Sequence, residues 1–275
     1  MTTQTWFITG ASSGFGMAFA RYALDRGYNV VATARSTAKL AALVEAAPQR
    51  VLAHKLDVTA PGAALAAAIA RFGRIDVLIN NAGYGIIGAV EETPEAELRA
   101  QLETNFFGAV AVIRAVLPQL RHQRGGAIVN VSSMGGQMSF AGAGAYSASK
   151  FALEGLSEAL APELAPFGIK VLIVEPGAFR TGFAADALRY MPMMEAYQGV
   201  MSATPDLAHA MHGTQAGDPY KAARAIERAL AAQTTPLRLQ LGGDAIEAVR
   251  QHGEKLLGDL AQWEAVGLDT RLDAA

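Results

Sequence analysis

The sequence predicts an α/β fold: a doubly wound, parallel sheet of about seven strands with helices on both faces. Three observations carry this expectation. Short apolar runs alternate with helical stretches along most of the chain, the order that a parallel sheet with crossover helices requires. The residues suited to holding a ligand fall at or just past the ends of those apolar runs, where open α/β sheets bind. A chain of 275 residues, 51% hydrophobic and 17% charged, is globular and long enough to bury a large core.

Trp6-Phe7-Ile8 is the first apolar run and ends at Thr9-Gly10; Ala11-Ser12-Ser13-Gly14-Phe15-Gly16 then leads into an amphipathic helix to about Arg26. Strand, glycine-rich turn and helix in that order suit a pyrophosphate, because glycines let backbone N–H groups approach it and the helix N-terminus favours its charge. The spacing is G-x-x-x-G-x-G rather than the general G-x-G-x-x-G, so a tight turn with packing glycines is the competing reading. Gly27 reads as a helix C-cap, and Tyr28 to Ala34 as a second strand ending at Arg35-Ser36. At this place such folds read the adenosine ribose, and a carboxylate would repel a 2′-phosphate. Here there is no acid. Arg35 can pair with a phosphate, and Ser13, Ser36 and Lys39 are near in sequence, so NADP(H) is expected over NAD(H); the alternative is an ordinary solvated arginine.

Lys39 to Ala47 reads as a helix and Val51 to Leu56 as a third strand, closed by Asp57-Val58; Asp57 could accept from an adenine amino group or cap the next helix. That helix is Ala63 to Phe72. Ile75 to Ile79 is a fourth strand, ending in the small-residue turn Asn80-Asn81-Ala82-Gly83, where a ligand could come close. One long helix is expected from about Pro94 to Gln123, with Asn105 in its middle, a satisfied core amide or a functional group. Ala127 to Val131 is a fifth strand ending at Ser132-Ser133, and Lys170 to Val174 a sixth, closed by Glu175-Pro176-Gly177. The segment 182–217, rich in Met and aromatic residues, breaks the repeat and is either a substrate lid or a helical hairpin on the core. Tyr220 to Ala232 is a helix, Leu237 to Leu241 a last strand, Asp244 to Leu260 a C-terminal helix, and the tail after Gly267 is expected to be loose. No internal repeat or linker appears, so residues 1–275 read as one domain.

Net charge is -2 without a long run of either sign, which speaks against a nucleic-acid surface. There is no cysteine, which excludes disulfides and thiol chemistry and fits a reducing cytoplasm. The N-terminus lacks a basic n-region, and the longest charge-free stretch, 125–149, is too rich in Gly and Ser to span a membrane, so the protein is expected to be soluble. Of the histidines, His54, His122, His209, His212 and His252, only His209 and His212 are close and no carboxylate completes a metal site; none is expected.

Tyr146-Ser147-Ala148-Ser149-Lys150 opens a long helix that runs to Leu164. At a spacing of four, Tyr146 and Lys150 share a helical face. A free tyrosine titrates near about 10, too high for proton transfer at neutral pH, and a neighbouring ammonium would lower it. By itself the pair could also be a surface tyrosine over an exposed lysine.

With these residues in view, the chain resembles the short-chain dehydrogenase/reductase family, in its single-domain core type with a Rossmann-type fold. The matching pieces are TGASSGFG from Thr9 to Gly16, LDVT from Leu56 to Thr59, NNAG from Asn80 to Gly83, Asn105, VNVSS ending at Ser133, YSASK from Tyr146 to Lys150, and EPG from Glu175 to Gly177. They cover nearly everything from Thr5 to Thr181, in the family's order and with its glycine spacing. The stretch from Lys150 to Leu164 looks like the branch that includes 17β-hydroxysteroid and retinol dehydrogenases. The resemblance implies catalytic roles for Asn105, Ser133, Tyr146 and Lys150. Tyr146 would be the proton donor in reduction and the base in oxidation, and Ser133 would bond the substrate oxygen. Lys150 would lower the Tyr146 pKa and hold the nicotinamide ribose, and Asn105 would help hold a proton-carrying water. It places Gly10, Ser12, Ser13, Gly14, Phe15 and Gly16 on the pyrophosphate and Asp57 and Val58 on adenine. Asn81, Ala82 and Gly83 lie along the cofactor, with Pro176, Gly177 and Thr181 toward the nicotinamide or the phosphates.

The expected activity is therefore NADP(H)-dependent transfer of a hydride between nicotinamide and a carbonyl or alcohol, with NAD(H) as the alternative. A dinucleotide-binding sensor or scaffold is the reading of another class. The pocket walls expected from Tyr84 to Ile87, Met134 to Phe140 and 182–217 carry few charges and suggest a fairly apolar small molecule. The two long helices are candidates for a subunit interface in a dimer or tetramer.

Overall fold

The computed structural model describes residues 3–201 and 213–272. The first half runs β1 (Thr5–Ile8), α1 (Gly14–Asp25), β2 (Asn29–Ala34), α2 (Ala41–Ala46), β3 (Val51–Lys55), α3 (Gly62–Phe72), β4 (Val77–Asn80), β5 (Gly85–Ile87), α4 (Glu95–Leu102) and α5 (Gly108–Gln123). The second runs β6 (Gly126–Val131), α6 (Gly144–Leu164), β7 (Ile169–Pro176), β8 (Leu188–Tyr190), α7 (Gln198–Met201), α8 (Pro219–Ala231), β9 (Arg238–Leu241) and α9 (Gly243–Leu268). Seven strands form one parallel sheet in the order β3-β2-β1-β4-β6-β7-β9, and β5 pairs with β8 in a separate parallel ribbon.

Strands buried on both faces need apolar side chains at every position, and the period of two then divides them between two cores. In β1, Trp6 and Ile8 join Phe19 and Ala20 of α1 and Ile226 of α8, whereas Phe7 joins Val112, Ile113 and Val116 of α5 and Leu160 of α6. This is the doubly wound architecture, and it leaves the C-terminal ends of the strands as the open edge. The crossover turns use local chemistry: Gly27 follows α1 at φ 80°, and Asp218 accepts hydrogen bonds from the Tyr220 and Lys221 N–H groups to start α8.

Three expectations need correction. The helix expected from 94 to 123 is α4 and α5 joined by a π turn, Glu103–Phe107, with Asn105 inside it. The extra residue of a π turn swings a side chain off the helical register, and such turns mark functional sites. The C-terminal helix does not end at Leu260 but continues to Leu268, because apolar residues keep helical spacing through Trp263 with no breaker. The helix thus takes in Leu268, the first residue of the tail expected to be loose, and 273–275 lie outside the described residues. Segment 182–217 begins as neither an open loop nor a helical hairpin: it forms a π turn, Phe183–Ala187, then β8 on β5, then the short α7. His209, His212 and Met211 lie outside the described residues. Among the described residues there is no group of three or more His, Asp or Glu arranged for a metal, and no helix long and apolar enough to cross a membrane.

Candidate active site

The glycine turn is locked from below by two polar side chains. Thr9, buried after β1, accepts from the Asn81 and Ala82 N–H groups at 2.9 and 3.0 Å. Asn81 Nδ2 donates back to the carbonyls of Thr9 (2.9 Å) and Gly10 (3.2 Å). Gly10 and Gly14 take φ of 65° and 52°, the left-handed region that glycine enters without penalty. At Gly16 a Cβ would stand 2.3 Å from the Gly10 carbonyl oxygen, so no side chain fits. Ser13 precedes α1 with no side-chain cap, so the first N–H groups of that helix stay directed at the turn. Thr181 approaches the same turn, its Cβ 3.4 Å from where a Cβ on Gly14 would be, and Phe15 stacks on Phe19 and meets Phe179 at a tilt of 47°. Ser12 is half-buried in the turn. The backbone forms a cradle that fits a pyrophosphate.

Arg35 is exposed just past β2, and Asp57 just past β3. The Asp57 carboxyl is held below its usual range by hydrogen bonds from the Thr59 N–H and hydroxyl, and the Arg35 charge adds to this. Asp57 thus makes an Asx-type turn and does not cap α3, whose N-cap is Pro61. Val58 is buried against Gly108 of α5. Pro176 ends β7, and Gly177 follows with the Asp244 carboxylate where its side chain would be.

Tyr146, Ser133 and Lys150 meet at the same edge, beside Gly83 and Gly85. A Cβ on Gly83 would lie 3.0 Å from Asn105 Oδ1 and 3.8 Å from Lys150 Nζ; one on Gly85 would lie 3.5 Å from the Tyr146 ring. The Tyr146 phenol is raised by burial and lowered by a hydrogen bond with Ser133, whose Oγ also accepts from the Gly135 N–H at 3.0 Å. Lys150 is buried, and burial takes it down to about 8 against the opposing charge of Glu154. Its Nζ donates to the Val131 carbonyl at 2.8 Å and stands 5.8 Å from the Tyr146 ring centroid. The expected lowering of Tyr146 by Lys150 is therefore not present. The ammonium donates to a carbonyl, and desolvation is the largest cause at both groups.

Asn105 is buried in the π turn with its amide engaged. Nδ2 donates to the Tyr84 carbonyl (2.9 Å) and to Ser149 Oγ (3.0 Å), and Oδ1 accepts from the Tyr84 N–H (3.1 Å). Gln101, one helical turn earlier and fully buried, accepts from the Ile86 N–H and donates to Tyr84. Together they tie residues 84–86, at the start of β5, to α4 and the π turn, and through Ser149 to α6. That strand pairs with β8, so two of the expected pocket walls touch: Leu188 and Phe183 lie against Gly85, Met191 against Gly88, and Arg189 stacks over Tyr84 at 4.6 Å. Phe183 stands 6.0 Å from Tyr146, ring to ring.

The family model for short chain dehydrogenase matches residues 4–190. The chain belongs to the short-chain dehydrogenase/reductase family. A similar protein, oxidoreductase BOA17 of Botryotinia fuckeliana, is 40% identical over 97% of this chain and 98% of its own. A 3-ketodihydrosphingosine reductase of Bacteroides thetaiotaomicron is 48% identical over 66% of each chain. A solved short-chain dehydrogenase of Streptomyces avermitilis is 49% identical, covering 98% of this chain and all of its own with a TM-score of 0.94. Two solved neighbours hold dinucleotides. One from Burkholderia phymatum binds NAD (27% identity, 94% and 95% coverage, TM-score 0.83), and an alcohol dehydrogenase of Thermococcus sibiricus binds 5-hydroxy-NADP (25%, 87% and 96%, 0.70). The dehydrogenase is an oxidoreductase of the nicotinamide dinucleotide type, and the glycine cradle fits that cofactor.

Behind Lys150 the dehydrogenase carries a group that sequence inspection missed. Glu154, one turn along α6, and Glu175, at the end of β7, have side chains 5% and 0% exposed. Gln137 Nε2 donates to both at 3.2 Å, Arg238 Nε stands 3.0 and 3.2 Å from them, and Gln240 donates to Glu175 at 2.7 Å. Glu154 Oε1 lies beside Ser132 Oγ at Gly136, and a hydrogen bond with Ser132 opposes the effect of burial on Glu154. Two carboxylates around one guanidinium cannot both ionise cheaply. Burial first, then Glu154, pushes Glu175 up to about 7, and burial raises Glu154. The spacing of Lys150 and Glu154 was the one signal available; Glu175 and Arg238 come from distant strands.

The pH consequence follows from the sign of that shift. An acid whose folded pKa is raised binds its proton more tightly in the native state, so stability is present below the unfolded pKa and is lost as pH rises toward the folded value. Between about 4.5 and 7 the native protein should lose on the order of 2–3 kcal/mol through Glu175. Glu175→Gln removes the titrating carboxyl, its new NH2 group facing Gln240, whose amide must turn to accept from it, and should flatten this slope in urea unfolding at pH 5 and pH 8. Equal slopes for the two proteins would mean that Glu175 titrates normally.

Proposed function

We propose that this enzyme is an NADP(H)-dependent oxidoreductase acting between nicotinamide and a carbonyl or secondary alcohol of a fairly apolar substrate, with Tyr146 as proton donor in reduction and acceptor in oxidation. The observation that carries the chemistry is the convergence of Tyr146, Ser133 and buried Lys150 beside Gly83 and Gly85, across from the glycine cradle. Bound there, the dinucleotide supplies or accepts the hydride. Tyr146, kept protonated at neutral pH by burial, gives its proton to the carbonyl oxygen, and Ser133 hydrogen-bonds the same oxygen as charge develops on it. Lys150, brought down to about 8, can replace the proton, and the family resemblance assigns it the ribose contact. Asn105 acts as a positioning residue through Tyr84 and Ser149, so a proton-carrying water would use its remaining acceptor capacity.

In this reading Gly10, Ser12, Ser13, Gly14, Phe15 and Gly16 surround the pyrophosphate, Asp57 and Val58 border adenine, and Asn81, Ala82, Gly83, Pro176, Gly177 and Thr181 follow the cofactor toward nicotinamide. Phe183, Leu188 and Met191 support an apolar substrate, as does the sphingoid ketone in the name of the Bacteroides relative. The described part of segment 182–217, residues 183–201, would then cover the substrate as a lid anchored by β8. One domain and a cytoplasmic location complete the reading, in keeping with a chain without cysteine.

Preference for NADP(H) rests on Arg35 at the end of β2, where the sequence has no acid; Asp57, past β3, is near enough to feel its charge. The NAD-bound Burkholderia neighbour favours the second reading, NAD(H). Titration with NADPH and NADH by nicotinamide fluorescence separates them. Tighter NADPH binding is expected, and Arg35→Asp should move preference toward NADH by about tenfold or more, the order of one charge-assisted pair. Unchanged preference in Arg35→Asp would remove Arg35 from phosphate recognition.

A further inference from the structure

The last helix leaves the body of the molecule. Near its start α9 packs on β9 and on the turn 134–136, with Ala245 buried and Val249 and His252 partly covered. From Glu254 through Leu268 every residue is exposed, so the helix overhangs by about 20 Å. A helix that projects this far with an apolar face has not buried what it was built to bury.

That face has a definite pattern. Val249, Gly253, Leu256, Leu260, Trp263 and Gly267 follow at alternating steps of four and three, the seam spacing of paired helices. Leu256, Leu260 and Trp263 are 55%, 66% and 62% exposed, and Leu257 beside them is 68% exposed. They present on the order of 400 Å² of apolar surface, which exceeds a scatter of single side chains and supplies about half of one partner's share in a standard interface. Among the described residues, nothing lies within 4 Å of where a Cβ on Gly253 or Gly267 would stand, so the small positions of the seam are open.

Large and small positions are related by reflection about Gly258. An antiparallel copy centred there sets Trp263 over Gly253, Leu256 against Leu260 and Val249 against Gly267, and brings Arg250, paired in its own helix with Glu247 at 2.6 Å, within two residues of Glu264. Three steric matches and one charge match share a single register. Each match occurs twice, as a two-fold axis requires. Asp259, close to that axis, is already paired with Lys255 at 2.6 Å, which moderates repulsion between the copies.

We propose that α9 is a self-association arm: two copies of this chain pair their α9 helices antiparallel about a two-fold axis near Gly258, each Trp263 filling the open space over Gly253 of the other copy. The partner is a second copy because the complementary surface is the same helix.

Sedimentation equilibrium of the full chain tests this. The protein is expected to be dimeric at micromolar concentration. Leu260→Glu with Trp263→Glu should raise the dimer dissociation constant by about 100-fold or more, the effect of removing central anchors. Both residues lie on the overhang, so dinucleotide binding by fluorescence titration should persist and show that the body is folded. Arg250→Glu should weaken the dimer by about tenfold, and adding Glu264→Arg should restore it, which a parallel pairing would not allow. A monomeric wild-type protein overturns the proposal, including one that instead co-sediments with phosphatidylserine vesicles. So does a double variant that stays dimeric, which would move the interface to helices such as α5 and α6, or a charge-swapped pair that fails to recover.

Discussion

Tyr146→Phe is expected to lower turnover by about 10²–10⁴-fold, the usual contribution of a positioned general acid, while leaving dinucleotide affinity within a few-fold. The substitution removes one oxygen and keeps the ring. Phe183 retains its neighbour 6.0 Å away, and Ser133 keeps the Gly135 N–H at 3.0 Å. The loss should appear in kcat and kcat/KM alike, since the proton is needed only as charge develops on the substrate oxygen. Burial raises the Tyr146 phenol, so the hydroxyl is protonated across the neutral range and reduction should not lose activity through its ionisation there. Lys150, at about 8, and Glu175, at about 7, are the groups beneath it that change charge nearer neutrality. Steady-state rates with a carbonyl panel, together with a fluorescence titration of the variant, check this. Near-normal turnover in the phenylalanine variant would mean that another group delivers the proton.

Gly16→Ala is expected to abolish measurable dinucleotide binding and to cost about 1–3 kcal/mol in stability, as overpacking does. The new methyl would stand 2.3 Å from the Gly10 oxygen and 2.7 Å from Asn81 Nδ2. Both atoms belong to the lock made by Thr9 and Asn81, so relief by movement breaks the bonds of 2.9 and 3.2 Å that hold the turn. The helix start would turn away from the pyrophosphate position. Gly155→Ala provides the matched control: Gly155 is in α6, exposed, with nothing within 4 Å of an added Cβ among the described residues. There the same substitution should stabilise by about 0.5–1 kcal/mol. Urea unfolding and NADPH titration of both variants give the comparison. If Gly16→Ala bound the dinucleotide as the parent does, the cradle would lie elsewhere.

Much of the candidate site was legible because it sits at strand ends. An apolar run followed by Thr9-Gly10, Asn80-Asn81 or Ser132-Ser133 announces both the strand and its exit, and a parallel sheet sends all such exits to one edge. Tyr146 and Lys150 were legible for another local reason, the helical spacing of four. Asn105 was placed correctly in sequence but its π turn was not foreseen, since one extra residue per turn leaves the apolar pattern nearly unchanged. The small ribbon of β5 and β8 was missed because strands of three residues carry no periodic signal, and their pairing joins segments about a hundred residues apart.

The sequence by itself determined the order of strands and helices, the division of each strand between two cores, and the positions that must be glycine. Side-chain alternation, helical period and backbone chirality are properties of a residue and its near neighbours. Only the tertiary structure decided which polar groups would share a buried space. Thr9 meets Asn81 across two strands, Glu154 and Glu175 meet around Arg238, and Lys150 turns to the Val131 carbonyl. Those contacts set the direction of the pKa shifts at Tyr146, Lys150 and Glu175, because desolvation depends on what packs around a group and not on its spacing along the chain.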